Sequence, residues 1–104
     1  MTANHEKNGE WVVYLLECSD GSFYTGSTNQ LEKRMIRHHR GTASKYTRSR
    51  RPGVLHTASG PMGKSDALRL EAKIKKLARS KKAAALAAHD SRASHDFPKK
   101  GNND

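Results

Sequence analysis

The clearest pattern of apolar positions lies near the start of the chain, where two short apolar runs are joined by polar residues. The run WVVYLLE begins at Trp11 and is rich in β-branched and aromatic residues, and after Cys-Ser-Asp-Gly-Ser the chain continues as FYTGST. Short runs of this composition on either side of a glycine-containing turn are typical of a β-hairpin. The pattern therefore predicts two antiparallel strands joined by a tight turn.

The length of that turn decides which side chains share a face of the hairpin. A two-residue loop of Asp20-Gly21 would pair Glu17 with Tyr24. Because side chains alternate between the two faces of a strand, Tyr14 would then lie on the face opposite to Tyr24.

A three-residue loop of residues 19–21 gives the other outcome. With Gly21 in the left-handed conformation of a bulge, this loop sets Tyr14 directly across from Gly26. Tyr14 and Tyr24 then lie on one face, and Gly26 would leave open space beside the Tyr14 ring. The pattern alone leaves both loop lengths open.

Helical spacing of apolar residues begins directly after the hairpin. Asn29 with Glu32 three residues later is a capping-box-like start, and Gly41 is a helix stop. The inward stripe at helical spacing contains Leu31, Arg34, Met35 and His38. Two of these four are ionisable, so Arg34 and His38 either border a polar cleft or lie at the edge of the core with their charged ends in water. The spacing favours the cleft.

The later part of the chain predicts a third strand and two more helices. VLHTAS at residues 54–59 is a strand that ends at Gly60-Pro61. A helix follows from residue 65 or 66 to about Arg79, and Glu71 adjoins its apolar face. That face consists of Ala67, Leu70, Ile74, Leu77 and Ala78. The alanine-rich segment KKAAALAAH is predicted as a short helix that continues this one or packs across its end.

A strongly basic loop, GTASKYTRSRRPG, connects the first helix to the third strand. Its cations are Lys45, Arg48, Arg50 and Arg51, and they surround Tyr46. A basic loop with one aromatic residue suits phosphate contacts together with stacking on a base or sugar. Tyr46 is equally well explained as a residue folded onto the core.

Charge changes the interpretation of the whole chain. Its 104 residues include 20 Lys and Arg against 10 Asp and Glu, which gives a formal net charge of +10. A basic excess of this size in so short a chain indicates a polyanionic partner, because neutralised phosphates release condensed counterions. Cys18 is the single cysteine, so an internal disulfide or a thiolate metal site is excluded, as expected in a reducing cytosol.

Composition also predicts the domain organisation and the location. No run approaches the roughly 20 apolar residues of a membrane-spanning helix, so no membrane association is expected and the location is predicted to be cytoplasmic. The chain has the size of one small domain. We predict a flexible N-terminus over residues 1–10, one folded domain over 11–88 and a disordered basic tail over 89–104.

Four short motifs in this order resemble those of the GIY-YIG nuclease family. They are Val-Val-Tyr at 12–14, Tyr-Thr-Gly at 24–26, Arg34 with His38 on the next helix, and Glu71 on a later helix. The resemblance is closer to the small single-domain branch of YhbQ-like and UPF0213 proteins, which is related to the nuclease domain of the Slx1 structure-specific endonucleases.

The stretches CSDGSFYTGST, HHRGTASKYTRSRRP and SDALRLEAKIKKL support that placement, and the match covers about residues 11–86. The chain departs from the family motifs at two positions. Val12 stands where the first triplet has Gly, a change common in this branch, and Thr25 stands where the second triplet has Ile, on the other face of the strand.

The resemblance implies an α+β fold with a small three-stranded antiparallel sheet flanked by helices, and phosphodiester hydrolysis assisted by one divalent cation, Mg²⁺ or Mn²⁺. Carried over by position, Tyr14 and Tyr24 are the signature tyrosines, Arg34 is the phosphate-binding arginine and Glu71 is the metal-binding carboxylate. His38 is the histidine characteristic of this branch. The general base is left open among Tyr14, Tyr24 and His38, since an unperturbed tyrosine is a poor base at neutral pH.

The function that follows is that of a metal-dependent DNA endonuclease or exonuclease, acting as a monomer on branched, single-stranded or damaged DNA in repair, with RNA left open as a substrate. One alternative is a non-catalytic nucleic-acid-binding module that retains the fold and uses the tyrosines for stacking. Another is a structural component of a larger repair or RNA-processing complex. The bare domain also suggests a protein partner that supplies specificity.

Overall fold

Three antiparallel strands form the centre of the structure, and helices flank both faces of the sheet. The computed structural model describes residues 10–89, so the predictions for residues 1–9 and 90–104 lie outside the described residues. The strands are β1 (Val12–Glu17), β2 (Phe23–Thr28) and β3 (Val54–Ala58), in the order β2-β1-β3. The helices are α1 (Leu31–Arg40), α2 (Lys45–Arg48), α3 (Lys64–Lys75) and α4 (Arg79–Ala87). The predicted α+β class is confirmed.

The β1–β2 hairpin has the three-residue loop. Gly21 adopts a φ of 85°, a left-handed conformation that costs glycine little, and its N–H donates to the Cys18 carbonyl at 2.9 Å. The resulting register sets Tyr14 opposite Gly26 and Leu16 opposite Tyr24. Tyr14 and Tyr24 therefore lie on the same face, as the longer loop predicts.

Strand β1 is buried on both faces, which explains its continuous apolar run. Val13 and Leu15 face α3 and α4, and they form the main core with Ala67, Leu70, Ile74 and Leu86. Tyr14 and Leu16 are also buried, on the opposite face of the sheet. The central position of β1 between two covered faces therefore matches its composition.

Helix α1 begins one residue later than the capping-box prediction, so the predicted cap at Asn29 was wrong. Gln30 is the N-cap residue and makes no side-chain capping bond. The N–H of Gln30 instead donates to Thr28 Oγ1 at 3.0 Å, so a turn closed by Thr28 directs the chain into the helix. The predicted stop is confirmed, because Gly41 ends the helix with a φ of 83°.

Two other predicted boundaries were also wrong. Helix α3 ends at Lys75 rather than near Arg79. The Lys82 ammonium donates to the carbonyls of Ile74 at 2.8 Å and Lys75 at 3.1 Å, and these bonds satisfy the end of the helix. Ala78 is the exposed N-cap of α4 and not part of the apolar face. The basic loop contains the four-residue helix α2, which its composition did not indicate.

The described helices are short. The longest, α3, has 12 residues, and no helix between residues 10 and 89 has the length and apolar character needed to cross a membrane.

Candidate active site

Three aromatic side chains and a histidine cluster on the face of the sheet that α1 and α2 cover. The Tyr14 and Tyr24 ring centroids are 6.3 Å apart, and the His38 ring lies edge-on at 5.7 Å from Tyr14 and 5.3 Å from Tyr24. Tyr46 of α2 extends the cluster, with its ring 6.0 Å from that of Tyr24. The structure thus brings together Tyr14, Tyr24 and His38 from three separate elements.

The Tyr14 hydroxyl is the centre of this cluster. It lies 2.8 Å from His38 Nε2, and Arg34 Nη1 donates to it over a longer distance of 3.5 Å. The Tyr14 side chain is fully buried, and His38 is 3% exposed. Arg34 and His38 are one helical turn apart on α1, and both contact the Tyr14 hydroxyl at a buried polar site. The open cleft expected from their spacing stays a prediction.

Gly26 allows the Tyr14 ring to lie directly on β2. A Cβ atom at residue 26 would stand 2.5 Å from the Tyr14 hydroxyl oxygen and 2.7 Å from Cζ, which are distances that no side chain tolerates. The expectation of open space beside the ring was wrong, because the Tyr14 ring itself fills that space. Gly26 is required for this close approach, and it lets the hydroxyl reach the outer edge of β2.

Burial keeps both Tyr14 and His38 uncharged at neutral pH. Burial raises the pKa of Tyr14 to about 12, against the opposing effect of the Arg34 guanidinium. Burial also lowers the pKa of His38 to about 4, and the positive charges of Arg34 and Arg37 lower it further. The free protein therefore holds a neutral phenol hydrogen-bonded to a neutral imidazole.

Thr47 of α2 holds the other nitrogen of His38, and sequence reasoning missed it. The Thr47 Oγ1 atom lies 2.9 Å from His38 Nδ1, and Thr47 is buried. Its hydroxyl also lies 2.9 Å from Ser44 Oγ. A threonine inside a basic segment carries no periodic signal, so only the packing of α2 on α1 shows this contact.

Glu71 approaches the cluster from the other side of the sheet. Its Oε1 accepts a hydrogen bond of 2.7 Å from Ser27 Oγ, and its Oε2 lies 3.1 Å from the Lys75 ammonium. Ser27 is opposite Val13 in the register, on the face that packs against α3. Glu71 thus stands at the outer edge of β2, near enough to Tyr14 that its negative charge contributes to the raised pKa of Tyr14.

The donor atoms around Glu71 suit a hard divalent cation. No group of three or more His, Cys, Asp or Glu side chains capable of holding a metal occurs within residues 10–89. A magnesium ion commonly keeps several waters and needs one or two carboxylates together with substrate phosphates. The Glu71 carboxylate and the Ser27 hydroxyl supply oxygen donors of that kind. The Lys75 side chain is 56% exposed, so its ammonium is free to move away from the carboxylate.

The four cations of the predicted nucleic-acid-binding segment divide into two pairs. Arg50 is ion-paired with Asp20 at 3.0 Å, and its guanidinium lies 3.8 Å from the centre of the Tyr46 ring. Arg51 donates to the carbonyls of Arg48 and His39 at 3.0 and 3.3 Å. The structure thus ties Arg50 and Arg51 to the protein itself, and their role in phosphate binding stays a prediction.

Lys45 and Arg48 instead line an open pocket of about 410 Å³. Its other lining residues are Gly41, Thr42 and Ser44. Tyr46 is not among the residues that line this pocket, and its ring contacts Tyr24 instead. It is 38% exposed and donates to Ser22 Oγ at 2.8 Å, so it is not folded into the core.

A second basic pocket, of about 290 Å³, lies at the start of α1. Its charged lining residues are Lys33, Arg34 and Arg37, and Thr28, Asn29 and Gln30 complete it. Sequence reasoning missed Lys33 and Arg37, because they lie outside the inward stripe of α1. Arg34 joins this pocket to the Tyr14 hydroxyl, so an anion bound there would approach the tyrosine cluster.

Comparison with known proteins points to one family. Residues 10–84 match the family model described as the GIY-YIG catalytic domain. A UPF0213 protein of Nitratidesulfovibrio vulgaris is 42% identical over 84 residues, which cover 81% of this chain and 76% of that protein. A UPF0213 protein of Halobacterium salinarum is 44% identical over 72 residues, covering 69% of this chain and 94% of that protein.

A solved structure is also similar. The solution NMR structure of a UPF0213 protein from Bacillus halodurans is 34% identical, with a TM-score of 0.47, and the match covers 88% of this chain and 98% of that one.

Proposed function

The chain belongs to the GIY-YIG nuclease family, and from that premise we propose that it hydrolyses phosphodiester bonds of DNA with the help of one divalent cation. The observation that carries the proposal is the buried hydrogen bond between the Tyr14 hydroxyl and His38 Nε2, with the Arg34 guanidinium directed at the same hydroxyl. A buried tyrosine of purely structural role needs one hydrogen-bond partner, whereas this hydroxyl has both a histidine and an arginine. A phosphodiester hydrolase needs a proton acceptor and a cation at this position.

Tyr14 and His38 act as one general base in this proposal. A water molecule that reaches the Tyr14 oxygen when substrate is bound gives it a proton as it attacks phosphorus, and the phenol proton passes to His38 Nε2. The bond from phosphorus to the departing sugar oxygen breaks in the same step. Tyr14 thus accepts a proton without becoming a phenolate, which its raised pKa disfavours. Tyr24, half-buried beside both rings, orients the attacking water.

Arg34 connects substrate binding to this proton transfer. Its charge is one reason for the low pKa of His38 in the free protein. A phosphate held by Arg34 offsets that charge, so His38 becomes a better proton acceptor when the substrate is bound. Arg34 also stabilises the negative charge that accumulates on the phosphate oxygens in the transition state.

Glu71, with the neighbouring Ser27 hydroxyl, would hold the divalent cation, Mg²⁺ or Mn²⁺. Such an ion supplies positive charge to the phosphate oxygens at the edge of β2. The carboxylate and hydroxyl lie on the side of the Tyr14 hydroxyl opposite to α1. A phosphate would then be bound between Arg34 and the cation.

The two basic pockets are the proposed path of the DNA backbone. Lys45 and Arg48 lie beyond α1, and Lys33 and Arg37 lie beside Arg34. These contacts are to phosphate and do not read base sequence, which agrees with substrates defined by branched, single-stranded or damaged structure rather than by sequence. We propose a monomer that acts on DNA, with RNA left open as a substrate and a partner protein as the source of specificity.

A non-catalytic nucleic-acid-binding module is the second candidate. The observation that favours it is the Glu71 carboxylate, whose two oxygens already contact Ser27 and Lys75. In that case Tyr24 and Tyr46 would serve only as a stacking surface. Binding without cleavage would distinguish this candidate from the nuclease.

Arg34→Ala, compared with Arg40→Ala, tests the nuclease proposal. Arg40 is an exposed cation of the same helix and has no contact with Tyr14. We expect Arg34→Ala to lower the cleavage rate by roughly 100-fold to 1,000-fold, as does the loss of one charge-stabilising group elsewhere, and to weaken DNA binding. Equal cleavage rates for Arg34→Ala and Arg40→Ala would contradict the role of Arg34.

A further inference from the structure

Thr47 forms a hydrogen bond with His38, and which of the two donates it shows which ring nitrogen of His38 carries the proton. The Thr47 side chain is 2% exposed, and its Oγ1 is 2.9 Å from His38 Nδ1. The opposite ring nitrogen, Nε2, faces the Tyr14 hydroxyl at 2.8 Å. A neutral imidazole carries one N–H, so one of these two neighbours must accept a hydrogen bond and the other must donate one.

Both neighbours contribute to the choice of tautomer, and the contacts of Tyr14 show which neighbour is the donor. A guanidinium has no acceptor atom, so Arg34 donates to the Tyr14 oxygen. The proton of the Tyr14 hydroxyl then needs an acceptor of its own. Among the residues that the structure describes, His38 Nε2 is the one acceptor within hydrogen-bond distance of this hydroxyl. Nε2 must therefore be unprotonated, and the ring proton must be on Nδ1.

The Thr47 side agrees with this assignment. If Thr47 Oγ1 accepts the proton of Nδ1, its own hydroxyl proton needs another acceptor. Ser44 offers two, its Oγ at 2.9 Å and its carbonyl oxygen at 3.4 Å. The Thr47 backbone N–H also donates to Ser44 Oγ at 3.1 Å, which caps the start of α2 and fixes Thr47 in place.

We propose that Thr47 is a positioning residue that holds His38 in the tautomer protonated at Nδ1, so that Nε2 accepts the proton of Tyr14. Its effect on catalysis rests on the proposed nuclease function, whereas the tautomer is a property of the free protein. The Thr47 hydroxyl is neutral, so it orients the ring without favouring the imidazolium. A carboxylate at this position would favour the imidazolium.

The proton balance of the step shows why this tautomer is needed. Water loses one proton to the Tyr14 oxygen as its oxygen bonds to phosphorus, and Tyr14 passes its own proton to Nε2. The bond from phosphorus to the departing sugar oxygen breaks, and that oxygen takes up a proton from bulk water. The product is an imidazolium whose Nε2–H faces Tyr14 and whose Nδ1–H faces Thr47, so neither side chain has to move. With the other tautomer Nε2 already carries a proton, and Tyr14 has nowhere to pass its own.

The test is the state of the His38 ring nitrogens in the full chain without DNA, measured by ¹⁵N NMR. We expect a protonated, pyrrole-type Nδ1 and an unprotonated, pyridine-type Nε2 in the wild type. Thr47→Val has a similar shape, keeps the backbone N–H bond to Ser44 and lacks the acceptor, so we expect its His38 to shift toward the tautomer protonated at Nε2. Thr47→Ser restores the hydroxyl and should restore the wild-type tautomer.

Wild-type His38 with an unprotonated Nδ1, or a Thr47→Val spectrum equal to that of the wild type, would overturn the proposal. If Thr47→Val fails to fold, Thr47→Ala provides the same comparison, because it also lacks the acceptor and keeps the backbone N–H bond to Ser44. If the wild type cleaves no DNA, the proposed function fails while the tautomer result stands.

In cleavage assays, we expect Thr47→Val to lower kcat on the order of tenfold or more and to change KM little. This loss is smaller than the roughly 100-fold to 10,000-fold loss in rate expected when a general base is removed completely. Thr47→Ser should recover most of the kcat lost in Thr47→Val. An unchanged kcat in Thr47→Val would overturn the catalytic part of the proposal.

Discussion

At the scale of single residues, the site depends on polar groups that are buried and fully paired. His38 has a hydroxyl group at each ring nitrogen and lies beside two arginines of its own helix. A buried imidazole with two neutral partners is stable only while it is uncharged. The same arrangement that prepares His38 as a proton acceptor should therefore make the fold sensitive to acid.

Acid should destabilise the protein through His38. The pKa of His38 is about 4 in the folded protein and near 6.5 when unperturbed, so the unfolded chain takes up a proton first as the pH falls. The contribution of His38 to stability is complete above about pH 6.5 and should be lost as the pH falls toward 4, by roughly 3 kcal/mol. Urea unfolding of the wild type across this range measures the loss.

His38→Gln and His39→Gln form the matched pair for that measurement. His39 is the exposed neighbour on α1. The difference in unfolding free energy between wild type and His38→Gln should shrink with acidification, whereas His39→Gln should follow the wild type. A constant difference between wild type and His38→Gln would show that His38 titrates normally.

Gly26→Ala should destabilise the hairpin through its contact with Tyr14. The new Cβ would stand 2.5 Å from the Tyr14 hydroxyl oxygen, so the ring must move, at a cost of about 1 to 3 kcal/mol. Tyr14→Leu removes the ring, so Gly26→Ala should cost less in that background. Gly21→Ala is the control, because its strain comes from a φ of 85° and should be equal in both backgrounds. Equal costs for Gly26→Ala in both backgrounds would contradict the contact.

The sequence predicts the two tyrosines on one face only for the three-residue loop, and their hydroxyl contacts could not be predicted at all. Turn chemistry at Gly21 decides the register, and the register places Tyr14 across from Gly26. Thr47 and Ser27 act through single hydroxyl groups, whose partners His38 and Glu71 lie 9 and 44 residues away along the chain. Such contacts depend on how helices pack on the sheet, and no local pattern encodes them.

At the scale of elements, helix α2 changes the interpretation of the basic segment. Its start is capped by Ser44, and it directs Thr47 inward and Lys45 and Arg48 outward. Four residues are too few for a periodic pattern, so the sequence indicated only a basic loop. The end of α3 could not be predicted for a related reason. The carbonyl group of Ile74 near that end accepts a hydrogen bond from Lys82, which belongs to the next helix.

Lys45 and Arg48 should contribute more to DNA binding than Arg50 and Arg51. The double variant Lys45→Ala/Arg48→Ala should flatten the dependence of log Kd on log salt by about 0.7 to 0.9 for each lost phosphate contact. Arg50→Ala/Arg51→Ala should change that slope less and lower stability more, since it breaks the Asp20 ion pair and the carbonyl contacts. Binding titrations at several salt concentrations compare the two variants. Equal slopes would contradict the greater contribution of Lys45 and Arg48 to DNA binding.

At the scale of the whole molecule, the site is built from both sides of a thin sheet. Helix α1 brings Arg34 and His38 to one face, and α3 brings Glu71 around the outer edge of β2 from the other. Gly26 lies between them, and the Tyr14 ring crosses β2 there. The sequence motifs identified all of these positions, but only the fold shows that Glu71 arrives from the opposite face with Ser27 and Lys75 as its partners.

The most direct test of this account is the metal dependence of DNA cleavage by wild type, Glu71→Gln and Asp66→Asn. The substrates are a panel of branched and single-stranded DNAs, with Mg²⁺ or Mn²⁺ titrated. Asp66 is an exposed carboxylate of the same helix, paired with Arg69 at 2.6 Å, and is the matched control. Cleavage and DNA binding are measured separately for each variant.

The account predicts that wild type and Asp66→Asn cleave at equal, metal-dependent rates. Glu71→Gln should lose roughly 100-fold or more in rate and still bind DNA, because it keeps the size of the side chain and removes the charge that holds the cation. Cleavage by Glu71→Gln at the wild-type rate, or wild-type cleavage that survives complete chelation of the metal, would contradict it.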